Sequence, residues 1–108
     1  MLDIYYVGAS VTVMPEDPGH LELAGSLDLE AHRLLAALFE KSRQAGADLQ
    51  YFQDSLLKPA QVVILLETFL ANAHESRGDR QALAAFEVVR GVLEGAVSRG
   101  LGLAAFAD

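Results

Sequence analysis

Residues 2–15, LDIYYVGASVTVMP, decide whether an otherwise helical chain also contains a β-sheet. β-Branched and aromatic residues dominate this stretch, and both types are enriched in strands. Gly8 and Ala9 interrupt the run, and a two-residue turn with glycine in its first central position joins the strands of many hairpins. The stretch therefore predicts a short N-terminal β-hairpin.

Residues 16–25 extend this β-rich part. EDPGH (residues 16–20) has the composition of a turn, and LELAG (residues 21–25) predicts one more short strand, which would make the hairpin a meander. The acidic side chains that precede Arg33, the first basic residue, are Asp3, Glu16, Asp17, Glu22, Asp28 and Glu30. A purely acidic segment repels nucleic acid and favours basic partners.

The first of three predicted helices begins near residue 26, where the hydrophobic period changes. Apolar residues recur at helical spacing between Ala31 and Ala45, with charged residues on the other side. Ser26 or Asp28 can cap the start of this helix, and Gly46 suits the left-handed position that follows its end.

Two further helices are predicted in the second half of the chain. One begins at Pro59, since the missing N–H of proline costs nothing at the first helical position, and its middle is apolar on nearly all sides. The other follows Gly78 and Asp79, and it contains Gly91 and Gly95. These two glycines either permit a close helix contact or weaken the helix, and the sequence leaves both alternatives open.

The segment GLGLAAFAD, residues 100–108, consists mostly of small and apolar residues and has a single charged residue, Asp108. We expect Leu101, Leu103 and Phe106 to pack back onto the helices. The predicted fold class is α+β: a short N-terminal β-hairpin or meander followed by three α-helices, in a helix-dominated single domain. Its parts are the β-rich acidic residues 1–25, the three-helix residues 26–99 and the apolar tail 100–108, which together form one domain, 1–108.

Composition supports a single folded domain. The chain has 108 residues, of which 52% are hydrophobic, and this is enough for a core despite a net charge of -7. It has no cysteine, which excludes disulfides, thiolate zinc sites and a cysteine nucleophile. The start MLDIYYVGAS lacks the basic region of a secretory signal, and the run VVILLETFL is too short to span a bilayer. We therefore expect a cytoplasmic protein with no membrane span.

The chemistry-bearing residues do not form a catalytic or cofactor set. His20, His32 and His74 lack the spacing of metal ligands, and we expect them to be solvated or to lie at helix ends. Gly100 to Ala105 matches the loose dinucleotide fingerprint but lacks the helix and the acid that must follow it. Eight Lys and Arg dispersed among fifteen acids make no basic stripe for nucleic acid. The chain is predicted not to be an enzyme and to have no catalytic residue, no cofactor and no metal.

A further hypothesis is a small enzyme that acts through carboxylates. Such an enzyme would need a deep pocket that holds an acid with a shifted pKa.

One short segment, DLQYFQDS (residues 48–55), carries two adjacent aromatics between acidic residues. If the segment is extended, neighbouring side chains point in opposite directions. We expect Phe52 to fill a gap between helix ends and Tyr51 to face outward as an interface anchor with an acidic rim. The predicted partner-binding residues are Glu16, Asp17, Asp48, Tyr51 and Asp54.

In size, acidity, helical build and lack of catalytic residues, the chain resembles bacterial immunity proteins, which inhibit antibacterial toxins stoichiometrically. The segment LQYFQDSLLKPAQVVILLETFL (residues 49–70) is also similar to a stretch of small bacterial proteins in which an aromatic pair and a short turn precede a proline-started helix. Immunity proteins share no common motif, so no functional residue is carried over.

The resemblance implies that acidic side chains match the cleft of a cognate protein toxin or other basic protein, while one or two aromatics supply buried contact area. The alternative is a self-associating structural or adaptor domain, in which the second or the third predicted helix forms a symmetric homodimer interface.

Overall fold

The computed structural model describes all residues from Met1 to Asp108. The strands are β1 (Leu2–Val7), β2 (Glu22–Leu27), β3 (Ser55–Leu57) and β4 (Gly102–Ala107). The helices are α1 (Leu29–Leu34), α2 (Ala36–Gln44), α3 (Pro59–Ala71) and α4 (Arg80–Arg99), with a 3₁₀ turn at Ala73–Ser76 between α3 and α4. The four strands form one antiparallel sheet in the order β2-β1-β4-β3.

The predicted arrangement, a hairpin or meander followed by three helices, is wrong: the domain is α+β with four strands in one antiparallel sheet and four helices. The predicted hairpin within residues 2–15 fails because β1 ends at Val7 and pairs with β2, beyond the loop of residues 8–21. In that loop Val13 is 76% exposed rather than part of a strand. The further strand expected in residues 21–25 overlaps β2, which begins one residue later and extends to Leu27.

The last strand, β4, is the largest departure from the prediction. Residues 100–108 were expected to form a tail packed on the helices, whereas β4 lies inside the sheet, hydrogen-bonded to β1 on one side and β3 on the other. The residues from Gly102 to Ala105 are all buried. A strand that is buried on both faces shows no alternation of polar and apolar residues, so the pattern that identifies strands is missing here.

The first predicted helix is two helices, α1 and α2, separated at Leu35, which has φ -106° and ψ 14°. Of the two proposed caps, Asp28 is the one used: its Oδ1 accepts a hydrogen bond from the amide of Ala31 at 2.7 Å. Ser26 lies in β2 instead, where its hydroxyl donates to Oδ1 of Asp3 at 2.7 Å. Gly46 follows the end of α2 with a φ of 110°, as its position in the sequence indicated.

The helices α3 and α4 begin where the sequence placed them. Pro59 is the first residue of α3, and Oδ1 of Asp79 caps α4 by accepting from the amides of Gln81 and Ala82. Gly100 ends α4 in the left-handed conformation, with φ 67°, and the chain turns directly into β4. None of the helices combines the length and the apolarity needed to cross a membrane.

The hydrophobic core lies between the helices and one face of the sheet. Strand residues that point to the helices include Leu2, Ile4, Leu27, Leu57, Leu103 and Ala105, and all six belong to the same buried cluster as residues of α2, α3 and α4. Val7 and Ala104 are also buried but lie outside that cluster, on the other side of the sheet. This other side carries Asp3, Tyr5, Val7, Leu23, Ser26, Leu56, Gly102, Ala104 and Phe106.

The structure shows which of the two alternatives holds for each glycine of α4, a close helix contact or a weakened helix. A Cβ atom at Gly95 would lie 2.5 Å from the hydroxyl of Tyr6, so this glycine permits close contact between α4 and β1. A Cβ atom at Gly91 would meet nothing within 4 Å. Gly91 therefore only weakens the helix.

Gly102 and Gly91 make a matched pair for testing the central position of β4. A Cβ atom at Gly102 would lie 2.5 Å from the carbonyl oxygen of Leu57, a backbone atom that cannot move without disturbing β3. We predict that Gly102→Ala lowers the free energy of unfolding by about 1–3 kcal/mol. Gly91→Ala should raise it by about 1 kcal/mol, because alanine is the better helix former. Urea unfolding of both variants measures this, and a neutral Gly102→Ala would contradict the close packing of β4 against β3.

Candidate partner-binding site

A cleft lies in the helical layer between α1, α2 and the segment of residues 48–53. We call it the α1/α2 cleft; it has a volume of about 420 Å³. Its walls combine aromatic side chains, two arginines and two acids, namely His32, Phe39, Tyr51, Phe52, Arg33, Arg43, Glu40 and Asp48. Two of the five predicted partner-binding residues, Asp48 and Tyr51, line this cleft.

A continuous chain of rings connects the cleft to the core. The centroid distances are 5.8 Å from Phe86 to Phe69, 5.2 Å from Phe69 to Phe39, 4.4 Å from Phe39 to His32, 5.6 Å from His32 to Tyr51 and 5.0 Å from Tyr51 to Phe52. We call this chain the aromatic ladder. Phe86 and Phe69 are buried at one end, and Phe52 at the other end is 76% exposed. The aromatic ladder therefore connects an exposed ring to the buried core through packed rings.

The two adjacent aromatics have the opposite roles to those predicted. Phe52, expected to fill a gap between helix ends, is the exposed ring, while Tyr51 is half-buried and packs against the core cluster. The prediction assumed an extended segment, but the chain bends at residues 51–53, so alternation of side-chain direction does not apply. The exposed ring of the pair is therefore Phe52, which packs edge-on against Tyr51.

His32 is a component of the cleft that the sequence analysis missed. It lies in the last turn of α1, as expected of a helix-end histidine, but it is half-buried rather than solvated. Its ring stacks on Phe39 with an interplanar angle of 7°, and its Nε2 lies 3.4 Å from the carbonyl oxygen of Leu49. Burial lowers the pKa of His32 below its ordinary value of 6.5, and the Leu49 carbonyl partly opposes this shift. The spacing of His32, Leu35 and Phe39 is helical, and this periodicity was the available signal that His32 lies on an inward face.

The charges at the cleft are partly paired. Nε of Arg43 donates to Oε2 of Glu40 at 2.9 Å, and this pairing lowers the pKa of Glu40 and raises that of Arg43. Oδ2 of Asp48 accepts from the side-chain amide of Gln50 at 2.7 Å, and the negative charge of Asp48 also helps to raise the pKa of Arg43. Both residues of the Glu40–Arg43 pair are exposed, so the pair contributes little to stability.

The remaining predicted partner-binding residues lie outside the cleft. Oδ1 of Asp54 accepts from the backbone amide of Ala107 at 2.9 Å and so holds the end of β4. Glu16 and Asp17 lie in the loop of residues 8–21, where Oδ1 of Asp17 accepts from the amide of Gly19 at 2.8 Å.

The five predicted residues therefore do not share one contact patch. The loop that carries Glu16 and Asp17 joins the sheet where β1 ends and β4 begins, whereas Asp54 lies where β4 ends. These two ends of the sheet are about 17 Å apart, since a strand of this length rises about 3.3 Å per residue. The structure brings together Asp48 and Tyr51 alone, adjacent to Phe52.

No protein-family model, no curated protein and no solved structure matches this chain. No group of three or more His, Asp or Glu side chains lies close enough together to hold a metal ion. The function is therefore inferred from the side chains that the fold brings together.

Burial of His32 makes the stability of the domain depend on pH. Because the pKa of His32 is lower in the folded chain than its ordinary 6.5, the unfolded chain binds more protons between those two values. The free energy of unfolding should therefore fall as the pH decreases from 6.5 to the folded pKa. His32→Phe keeps an aromatic ring on Phe39 without a titrating group, and it should remove this part of the pH dependence.

Urea unfolding between pH 7.5 and 5 measures the effect. His20→Phe is the control, because His20 is exposed and lies in the loop of residues 8–21, and this variant should keep the wild-type slope. An unchanged slope in His32→Phe would show that His32 is not the group responsible.

The assignment of the two aromatics is tested by their stability effects. Tyr51→Ala should lower the free energy of unfolding by about 1–3 kcal/mol, because it removes a half-buried ring that contacts His32 and the core. Phe52→Ala should change it by less than about 0.5 kcal/mol, since the ring is mostly solvated. Chemical unfolding of the two variants gives both values, and a larger loss for Phe52→Ala would reverse the assignment.

Proposed function

We propose that this chain is a non-enzymatic protein-binding domain, an immunity protein that stoichiometrically inhibits a cognate antibacterial toxin. The observation that carries the proposal is Phe52, a large apolar side chain that is 76% exposed at the rim of the α1/α2 cleft. Aromatic side chains are enriched at interfaces, and a hot spot is a large side chain that a partner desolvates fully, which the exposed ring of Phe52 allows.

Rigidity of the anchor supports this proposal. Phe52 packs edge-on against Tyr51, with an interplanar angle of 79°, and Tyr51 is fixed in turn by His32 and Phe39 through the aromatic ladder. A side chain that is already held in one position loses less conformational entropy when a partner buries it. More of the contact energy then remains as affinity.

Charge supports a basic partner. Two arginines and two acids line the α1/α2 cleft, so the charge that would attract a basic partner is the net charge of -7 of the whole chain. Like the resemblance to immunity proteins, this favours a toxin with a basic surface. Glu16, Asp17 and Asp54 act at longer range in this proposal, by speeding the encounter rather than by direct contact, because long-range attraction acts mainly on the association rate.

A second candidate function is a self-associating structural or adaptor domain. The specific observation that favours it is the exposure of apolar side chains on α3 and α4, such as Leu70 at 47% and Val88 at 50%. The two candidates differ in their response to salt: binding of a basic toxin weakens as salt screens the attraction, whereas association of two acidic copies strengthens as salt screens their repulsion.

Capture of the partner from the source cells tests the proposed function. The tagged chain should retain one stoichiometric basic protein, released by stepped salt and identified by mass spectrometry, and it should suppress the toxicity of that protein when the two are co-expressed. Phe52→Ala should lower the affinity more than about tenfold, since a hot-spot truncation costs 2 kcal/mol or more.

The matched control is Leu70→Ala, which removes an apolar side chain of α3 that is 47% exposed and should leave the affinity unchanged. Equal losses in the two variants would reject Phe52 as the anchor. Failure of the captured protein to be toxic, or of the chain to suppress its toxicity, would reject the immunity function.

A further inference from the structure

A second cavity lies on a different side of α1 from the α1/α2 cleft, between α1, the first half of α4 and the end of β2. We call it the α1/α4 groove; it has a volume of about 470 Å³. Clefts that bind small molecules have volumes of about 300–1,000 Å³ and mostly apolar walls with a few polar groups. No residue lines both the groove and the α1/α2 cleft, so the two are separate surfaces.

The groove exists because short side chains lie where α1 packs beside α4. Ala31 of α1 and Ala84 and Ala85 of α4 do not fill the space between the two helices. Val88 lies one helical turn after Ala84, so it continues the same face of α4. Leu27 and Ala85 are buried, at 3% and 7% exposure, whereas Val88 is 50% exposed. The result is a concave apolar surface that is open to solvent on one side.

The charged side chains of the groove are both acidic. Asp28 and Glu30 line it, and no Lys, Arg or His side chain does. Neither carboxylate has a cationic partner within 4.0 Å. Oδ1 of Asp28 accepts from the amide of Ala31, which leaves its other oxygen free. The ammonium group of Met1, which also lies at the groove, is paired with Asp108 at 2.9 Å. Negative charge therefore accompanies the apolar surface.

We propose that the α1/α4 groove binds a small organic cation, a primary amine that carries an apolar chain or ring. The apolar part of the ligand packs on Leu27, Ala31 and Ala85, and its ammonium group donates to the carboxylates of Asp28 and Glu30. This inference goes beyond the proposed inhibition of a toxin, and it concerns a surface that shares no residue with the α1/α2 cleft.

Charge complementarity identifies the class of ligand. An apolar anion, such as a fatty acid, is repelled by Asp28 and Glu30 and finds no basic side chain in the groove. A neutral apolar molecule uses the walls but gains nothing from the two carboxylates. An ammonium group has three N–H donors and no acceptor, and its hydrogen bonds to carboxylates are stronger than those between neutral groups. An apolar amine is therefore the class that uses both parts of the groove.

Exposure of the two carboxylates sets the size of the expected preference. Asp28 and Glu30 are both exposed, and an exposed ion pair changes an equilibrium constant by up to about fivefold. We expect hexylammonium to bind about two- to tenfold more tightly than 1-hexanol, which has the same apolar chain without the charge. Hexanoate should bind more weakly than both. The preference for hexylammonium should decrease as salt screens the attraction.

NMR titration of the whole ¹⁵N-labelled chain at pH 7 with these three compounds tests the proposal. Hexylammonium should cause saturable shifts of the amide signals of Ala31, Ala84 and Val88 in the groove, and it should leave the signals of Gln50 and Phe52 in the α1/α2 cleft unchanged. Shifts that do not saturate, or that occur outside the groove alone, would overturn the proposal. Equal dissociation constants for hexylammonium and 1-hexanol would overturn it as well.

Two variants test the two parts of the groove separately. Ala84→Leu puts a larger side chain into the groove and should raise the dissociation constant of hexylammonium more than about tenfold. Ala84 is exposed and leucine is a good helix former, so this variant should fold. Glu30→Gln keeps the shape of the side chain and removes its charge. It should raise the dissociation constant of hexylammonium about two- to fivefold and leave that of 1-hexanol unchanged.

The matched controls make the same changes elsewhere on the helices. Ala37→Leu on α2 and Glu67→Gln on α3 alter exposed residues that lie outside both cavities, and Glu67→Gln changes the net charge by the same amount as Glu30→Gln. Both controls should bind hexylammonium like the wild type. An unchanged affinity in Ala84→Leu or in Glu30→Gln, or equal losses in a variant and its control, would reject the groove as the site. None of these measurements involves a toxin, so this proposal and the proposed function can fail independently.

Discussion

Insertion of β4 between β1 and β3 is the constraint on which the rest of the structure depends. Without β4, the sheet would be reduced to the pair β1–β2 and a separate strand, Ser55–Leu57, with nothing to pair with. A two-stranded pair is marginally stable by itself. Since β1 begins at Leu2 and β4 ends at Ala107, the sheet is complete only when distant parts of the chain meet, which is a costly step in loop-closure entropy. Gly102 makes the insertion sterically feasible, because its missing Cβ leaves room for the carbonyl of Leu57.

The helices α3 and α4 could be predicted from the sequence, whereas the break between α1 and α2 and two of the strands could not. Pro59, Asp79 and Gly46 mark helix ends through local backbone chemistry that does not depend on the rest of the fold. Strand β4 is defined by its neighbours instead: its alanines favour helices in isolation, and burial on both faces removes alternation. Strand β3 is too short to show a period. The apolar pattern of residues 29–44 likewise runs through Leu35, so the break between α1 and α2 comes from tertiary packing.

The site was predictable only where its members are neighbours in the chain. Asp48 and Tyr51 come together because three positions separate them, and the sequence placed them correctly in one segment. Which ring of the pair Tyr51 and Phe52 is exposed depends on the bend at residues 51–53 and on the position of His32, which is set by the packing of α1. The separation of Glu16 and Asp17 from this segment follows from sheet topology, which the predicted hairpin did not contain. The excess of acidic residues is evident from the sequence, but it does not show which of these residues lie close together in the fold.

Charge and apolar surface have separate roles in the proposed binding of a partner. The walls of the α1/α2 cleft hold two arginines and two acids, and the Arg43 guanidinium interacts with both Glu40 and Asp48, so the cleft itself is balanced in charge. The net charge of -7 therefore belongs to the whole surface, and it acts on the rate of encounter with a basic partner rather than on the docked contact. In the proposal, affinity then depends on the ring of Phe52, which is 76% exposed and packs on Tyr51.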